Sequence, residues 1–164
     1  MKIWYKTNGL LSVFAAALIL VTGMVTSNSA EAQSYSNNPS FGTYQLYAGF
    51  APDPYGVNIT AGGTLAAESL GGSQCVGTIA NSPDVRLIYS AGSYPLSIWV
   101  ESAYDTTLVI NDPYGNWWCN DDGIQGTYHP LMWWDSPPSG QYDIWVGNFD
   151  RGRGLPATIY FSEQ

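Results

Sequence analysis

The sequence predicts an all-β fold, an antiparallel jelly-roll-like β-sandwich, and three observations predict it. Gly, Pro, Asn and Asp return about every ten residues from residue 41 onward, which is turn chemistry at the spacing of short strands. The runs between them are rich in Val, Ile, Thr, Tyr and Trp, and several alternate apolar with polar residues. Almost nothing in that region carries the 3.6-residue apolar spacing of an amphipathic helix.

The first 32 residues read as an export signal. Lys2 and Lys6 form a basic start, Leu10 to Val21 is nearly all apolar, and Ala30-Glu31-Ala32 offers small residues for cleavage after Ala32. The apolar run is shorter than the ~20 residues a spanning helix needs, so no stable membrane insertion is expected after cleavage. Residues 33–40 are polar and read as a flexible lead-in, and residues 41–164 as one sandwich domain. Removing Lys2, Lys6 and Glu31 leaves three arginines, Arg86, Arg151 and Arg153, against twelve carboxylates, a formal net charge of −9. Such a surface repels phosphate, which disfavours nucleic acid and anionic lipid and favours cations.

The strands are expected in order. Phe41 to Phe50 alternates through Tyr44, Leu46 and Ala48, and Ala51-Pro52-Asp53-Pro54 ends it, because proline cannot serve a central strand. Val57 and Ile59 mark the next strand. Gly62-Gly63 turns into a modest strand over Thr64 to Ser69, and Cys75 to Ile79 continues one after Gly71-Gly72-Ser73. Val85 to Tyr89, Leu96 to Val100 and Thr107 to Ile110 are stronger, being apolar and β-branched. Leu131 to Trp134, Tyr142 to Val146 and Ala157 to Phe161 complete the set. Ser97-Ile98-Trp99-Val100 and Asp143-Ile144-Trp145-Val146 echo each other, which suggests equivalent core positions rather than a repeat.

The chemistry concentrates in Asn111 to Gly123. Two oxygen-rich turns there flank Trp117-Trp118-Cys119. Calcium takes six to eight oxygens, and Asn111, Asp112, Asn120, Asp121 and Asp122 offer them from both turns, with Asp105 and Asp135 as further donors. A hairpin return through Asn116 to Cys119 would bring both turns to one point. The same residues also favour turns by local hydrogen bonding alone. Cys75 and Cys119 both lie in the exported part, and an even count in an oxidising compartment predicts one disulfide. The pairs Trp117-Trp118 and Trp133-Trp134 should each send one ring inward and one outward, since neighbours on a strand face opposite sides. An outward ring can stack on a sugar or meet a protein.

Catalytic residues are few. His129 is the single histidine, it precedes Pro130, and no Gly-x-Ser-x-Gly is present, so no catalytic residue is assigned. Arg151-Gly152-Arg153-Gly154 reads as a hairpin loop, and the Asn58-Ile59-Thr60 sequon falls in an expected strand.

Val85 to Glu163 resembles the bacterial pre-peptidase C-terminal type of β-sandwich, in a small standalone secreted subgroup. The resemblance is carried by Asp105 to Ile110, Asp112-Pro113-Tyr114-Gly115-Asn116-Trp117, Cys119-Asn120-Asp121-Asp122, and Pro138 to Gly147. It implies a jelly-roll-like sandwich that accompanies exoenzymes, with calcium bound by acidic turns in some members. A protease domain joined to these residues is not expected. The expectation is therefore a non-catalytic accessory or binding protein, secreted or periplasmic, stabilised by calcium and one disulfide. Its partner would be an extracellular protein or polysaccharide. A carbohydrate-binding module and a small secreted hydrolase are the alternatives.

Overall fold

The computed structural model describes residues 34–70 and 74–164, so the expected leader and its cleavage site lie outside the described residues. Eleven strands occur among them. Turn residues space β1 (Thr43–Tyr47), β2 (Tyr55–Gly62), β3 (Leu65–Ala66), β4 (Thr78–Ile79), β5 (Val85–Ser90) and β6 (Leu96–Ser102). They are followed by β7 (Thr106–Asn111), β8 (Trp117–Asn120), β9 (Leu131–Trp134), β10 (Gly140–Asn148) and β11 (Arg153–Ser162).

Two sheets form. The smaller runs β2-β11-β6-β9 and is antiparallel throughout. The larger, seven-stranded sheet is built around β10, which pairs β5 and β4 on one flank and β7 on the other, with β8 beyond β7. One pairing departs from the expected antiparallel pattern. β1 joins β5 in parallel, Thr43 opposite Arg86 through Tyr47 opposite Ser90. Alternation fixes which residues of β1 face inward but carries no information on strand direction.

Strands β2 and β5 bury alternate residues, whereas β7 and most of β10 are buried on both faces. Leu87, Leu108, Ile110, Ile144 and Val146 of the large sheet meet Val57, Ile59, Ile98, Val100, Ile159 and Phe161 of the small one in the main core. A second core lies on the outer face of the large sheet, where Ala67, Cys75, Ile79 and Val109 enclose Trp145. The segment supplying it differs from expectation. Thr64 to Ser69 forms only the two residues of β3 and a 3-10 turn over Ala67–Leu70, and Cys75 to Ile79 keeps only β4. This stretch is a cover rather than a ladder, and the Cys75–Cys119 disulfide ties it to β8, as the cysteine count predicts. Close backbone approach accompanies it: a Cβ at Gly63 would stand 2.0 Å from the Ile79 carbonyl oxygen, so only glycine fits.

Asp84 closes the gap between β5 and β4 along β10. The β5 ladder ends at Val85 opposite Ile144, and β4 meets β10 only at Asn148. The intervening Val146 N–H donates to the Asp84 carboxylate at 2.7 Å, while the Asp84 N–H donates to the Ile144 carbonyl. Asp84 is 2% exposed. Burial pushes its carboxyl up to about 7, against the lowering effect of the Val146 hydrogen bond.

Residues 34–40, expected as a lead-in, are tied to the body. Arg86 donates to the Tyr35 and Asn37 carbonyls at 2.6 and 3.0 Å, and the Ser40 and Phe41 N–H groups donate to the Pro83 and Asp84 carbonyls. On its other side Arg86 pairs with Asp143 at 2.6 Å. At the opposite end Glu163 accepts from the Tyr89 hydroxyl and the Gly49 N–H, which holds the β1–β2 loop against the last strand.

Candidate functional site

The Asn111 to Gly123 stretch is a β7–β8 hairpin and the start of the loop after it. Its tip is organised by one carboxylate. Asp112 accepts from the Tyr114 and Asn116 N–H groups at 2.8 and 2.9 Å, from the Asn116 amide at 3.0 Å and from the Trp118 indole N–H at 2.9 Å. Burial alone would raise its carboxyl; the bonds from Trp118, Asn116 and Tyr114 overcome this and hold it below the usual carboxylate range. The turn is closed by Asp112 N–H to the Asn116 carbonyl, and Gly115 takes a positive φ of 81°.

The hairpin register separates the two oxygen-rich turns. Asn111 faces Trp117 at the tip, whereas Asn120 faces Leu108 three residues further down, about 10 Å along the strand. Asn111 and Asp112 therefore do not share a point with Asn120, Asp121 and Asp122. The oxygens of two of these side chains are also engaged: Asp112 holds four donors, and Asn120 Oδ1 accepts the Leu131 N–H at 3.0 Å, fixing the entry to β9. The five expected ligands do not fit one calcium cage.

Asp121 and Asp122 belong instead with Asp105 and Asp150. Burial raises the Asp105 carboxyl, and the charges of Asp122, Asp150 and Asp121 add to the shift. Asp105 Oδ1 is buried and has no hydrogen-bond partner. Among the described residues, no group of three or more His, Cys, Asp or Glu side chains is arranged to hold a metal ion. Asp135 lies elsewhere and accepts the Trp133 indole N–H at 2.9 Å.

The tryptophans divide by face. Trp117 packs on Trp145 in the outer core, with ring centroids 5.2 Å apart. Trp118, on the inner face at the sheet edge, is 44% exposed and meets Trp134 edge-on, which meets Tyr142 in turn. Trp134 packs against the main core, and Trp133 turns outward, 49% exposed. Each pair thus splits.

A larger aromatic surface was not evident from the tryptophan pairs. On the outer face of the small sheet, Tyr160 and Trp99 are cross-strand partners, stacked with centroids 5.1 Å apart and planes at 18°. Leu131 is opposite Trp99 on β9, and Trp133 is diagonal to it. Glu101 and Asp135 accept the indole N–H groups of Trp99 and Trp133 at 3.3 and 2.9 Å. The signal in the sequence is the Ile-Trp-Val echo. Trp99 and Trp145 hold equivalent outward places on β6 and β10, the central strands of opposite sheets. Trp145 is completely buried under the disulfide-tied cover, whereas Trp99 is only half-buried.

Beside the hairpin tip, Tyr35, Tyr114 and Trp117 line a cavity of about 420 Å³ together with Asp112, Asp143 and Gln141. Asp143 is 2% exposed and shared between Arg86 and the Gln141 amide. His129 is bound locally: its Nε2 donates to the Ser102 carbonyl at 3.1 Å, and its backbone N–H donates to the Thr127 hydroxyl.

Comparison with known proteins leaves the chain outside any matching family model, and no curated protein matches it. Among solved structures it is similar to the pre-peptidase C-terminal domain of collagenase from Bacillus anthracis, at 16% identity and a TM-score of 0.40, covering 77% of this chain and 98% of that one. It is also similar to PliG, a periplasmic inhibitor of g-type lysozyme from Aeromonas hydrophila, at 13% identity and a TM-score of 0.36, covering 75% and 98%. The first structure is of the type that Val85 to Glu163 resembles.

Proposed function

We propose that the chain is an exported, non-catalytic binding domain that attaches to polysaccharide through the outer face of its small sheet. The observation that carries this reading is the unequal treatment of Trp99 and Trp145. The molecule covers one with a separate segment and a disulfide, and leaves the other at the surface beside Tyr160, Leu131 and Trp133. Partly exposed aromatics grouped on one sheet face, with Trp133 exposed among them, are a feature of interaction sites. Sugar rings present flat C–H faces to such rings, and Glu101, Asp135, Asn58 and Thr158 supply hydrogen-bonding groups on the same face. The Cys75–Cys119 disulfide supports a secreted or periplasmic location, where thiols oxidise.

Retention on insoluble polysaccharides is the test. The wild-type domain should be retained on at least one neutral polysaccharide, and Trp133→Ala should reduce retention roughly tenfold with an unchanged melting temperature, whereas Trp99→Ala should reduce it similarly and also lower the melting temperature, because Trp99 stacks on Tyr160. Failure of the wild type across cellulose, chitin, xylan and peptidoglycan would refute the reading, as would retention indifferent to both variants. Peptidase activity lost in His129→Ala would favour the hydrolase alternative instead.

A structural cation is a second reading, favoured by Asp105. Its unpartnered buried oxygen and the charges of Asp121, Asp122 and Asp150 give calcium something to relieve. Calcium would act there against like-charge repulsion rather than within a finished cage. Millimolar calcium should raise the melting temperature by about 2–4 °C, and Asp122→Asn should raise it without calcium and blunt the response. A melt that neither calcium nor chelator moves would dismiss it.

A further inference from the structure

We propose that the cavity beside the β7–β8 hairpin binds a quaternary ammonium group. Three features of its lining point there. First, Tyr35, Tyr114 and Trp117 provide three aromatic side chains around one cavity of about 420 Å³, and aromatic faces attract cations through their quadrupoles. Second, two carboxylates line it, Asp112 and Asp143, and no lysine, arginine or histidine does. Third, the two carboxylates are unlike. Asp143 is neutralised by Arg86 at 2.6 Å. Asp112 is 5% exposed and makes no salt bridge; all four of its donors are neutral. It is a buried charge without a counter-ion on the wall of an aromatic cavity.

The same four bonds select the kind of cation. Asp112 has no lone pair to spare, so it offers little to a metal ion, which needs oxygens to replace its water, or to a primary ammonium, which brings three N–H donors. A quaternary ammonium has no donor to satisfy and is weakly hydrated. It would take from Asp112 only the charge and from the aromatic lining only its quadrupoles, with no hydrogen bond to satisfy. The Tyr35 backbone is held by the Arg86 bond to its carbonyl, so the arginine that pairs with Asp143 also ties this segment beside the cavity. The cavity and the Trp99–Trp133 surface belong to different sheets, so either can fail without the other.

Choline and its uncharged carbon isostere, 3,3-dimethylbutan-1-ol, are the probes, followed by tryptophan fluorescence and by proton chemical shifts of the folded wild-type domain. Choline should saturate at roughly millimolar concentration and the isostere should bind at least about tenfold more weakly. Tyr114 is 77% exposed, so Tyr114→Ala should fold normally; it should weaken choline about fivefold, and Tyr114→Phe should restore it. Vesicles of phosphatidylcholine and of phosphatidylglycerol distinguish the source: retention on the first alone, competed by free choline, assigns the group to a lipid, and binding of free choline without retention assigns it to a soluble solute. Either upholds the site. Equal binding of choline and isostere, no saturation by choline, or undiminished binding by Tyr114→Ala overturns it.

Discussion

Replacing Cys75 and Cys119 together with serine should lower the unfolding free energy by about 3–4 kcal/mol. The bridge spans 44 residues, and closing a loop of that length removes roughly this much denatured-state freedom in the chain-entropy model. The loss should be local before it is global. Cys75 belongs to the cover over Trp145, and that cover has only the two-residue strands β3 and β4 to hold it in a sheet. Tryptophan emission should therefore shift to the red at denaturant concentrations below the main transition, as Trp145 meets water. Guanidinium unfolding of the wild type with and without reductant checks both statements. Coincident midpoints would contradict the role assigned to the bridge.

The second large effect is a fall in stability as pH rises. Asp84 has a folded value of about 7 against 3.8 for the unconstrained group. Between these limits the native state keeps a proton that the unfolded chain has lost, so stability declines with rising pH throughout that window. Above pH 7 both states are ionised and the slope disappears. The full span corresponds to roughly 4 kcal/mol by linkage. Asp84→Asn keeps an oxygen for the Val146 N–H and removes the titration. Urea unfolding of both proteins from pH 4 to pH 8 should give a difference that favours the variant increasingly up to pH 7 and then levels. Parallel curves for the two proteins would refute the assignment. Asp112, whose value is lowered, acts in the opposite sense at the acid end and is common to both proteins.

The sandwich was legible because several strands bury alternate residues, as in Val85 to Tyr89 and Ala157 to Phe161, and because Thr107 to Ile110, buried on both faces, is β-branched apart from Leu108. Direction and register are not. Nothing in Phe41 to Phe50 distinguishes the parallel pairing of β1 from an antiparallel one. Nothing in Asn111 to Gly123 states that Asn120 lies opposite Leu108, and that one fact parts the two turns. The cover over Trp145 looked like strand because it is apolar and bounded by glycines; it is held by a covalent tie and side-chain packing instead. The disulfide needed only a count of cysteines. The aromatic face was missed because adjacent tryptophans draw notice in a linear chain, whereas Trp99, Tyr160 and Trp133 become neighbours only through cross-strand pairing. The cavity was half legible. Asp112 and Trp117 stood in the focal stretch, but Tyr35 and Asp143 reach it through Arg86, a link between residues far apart in sequence.

The place of β11 bears on how the chain assembles. The last strand lies in the middle of the small sheet, between β2 from the first half and β6. Neither neighbour pairs with the other: β6 has β9 as a partner of its own, but β2 joins the sheet only through residues 153–162. The β2 strand is thus held apart from its partner by most of the described chain, and docking of β11 closes the small sheet. Such late, long-range pairing makes collapse slow relative to local folding.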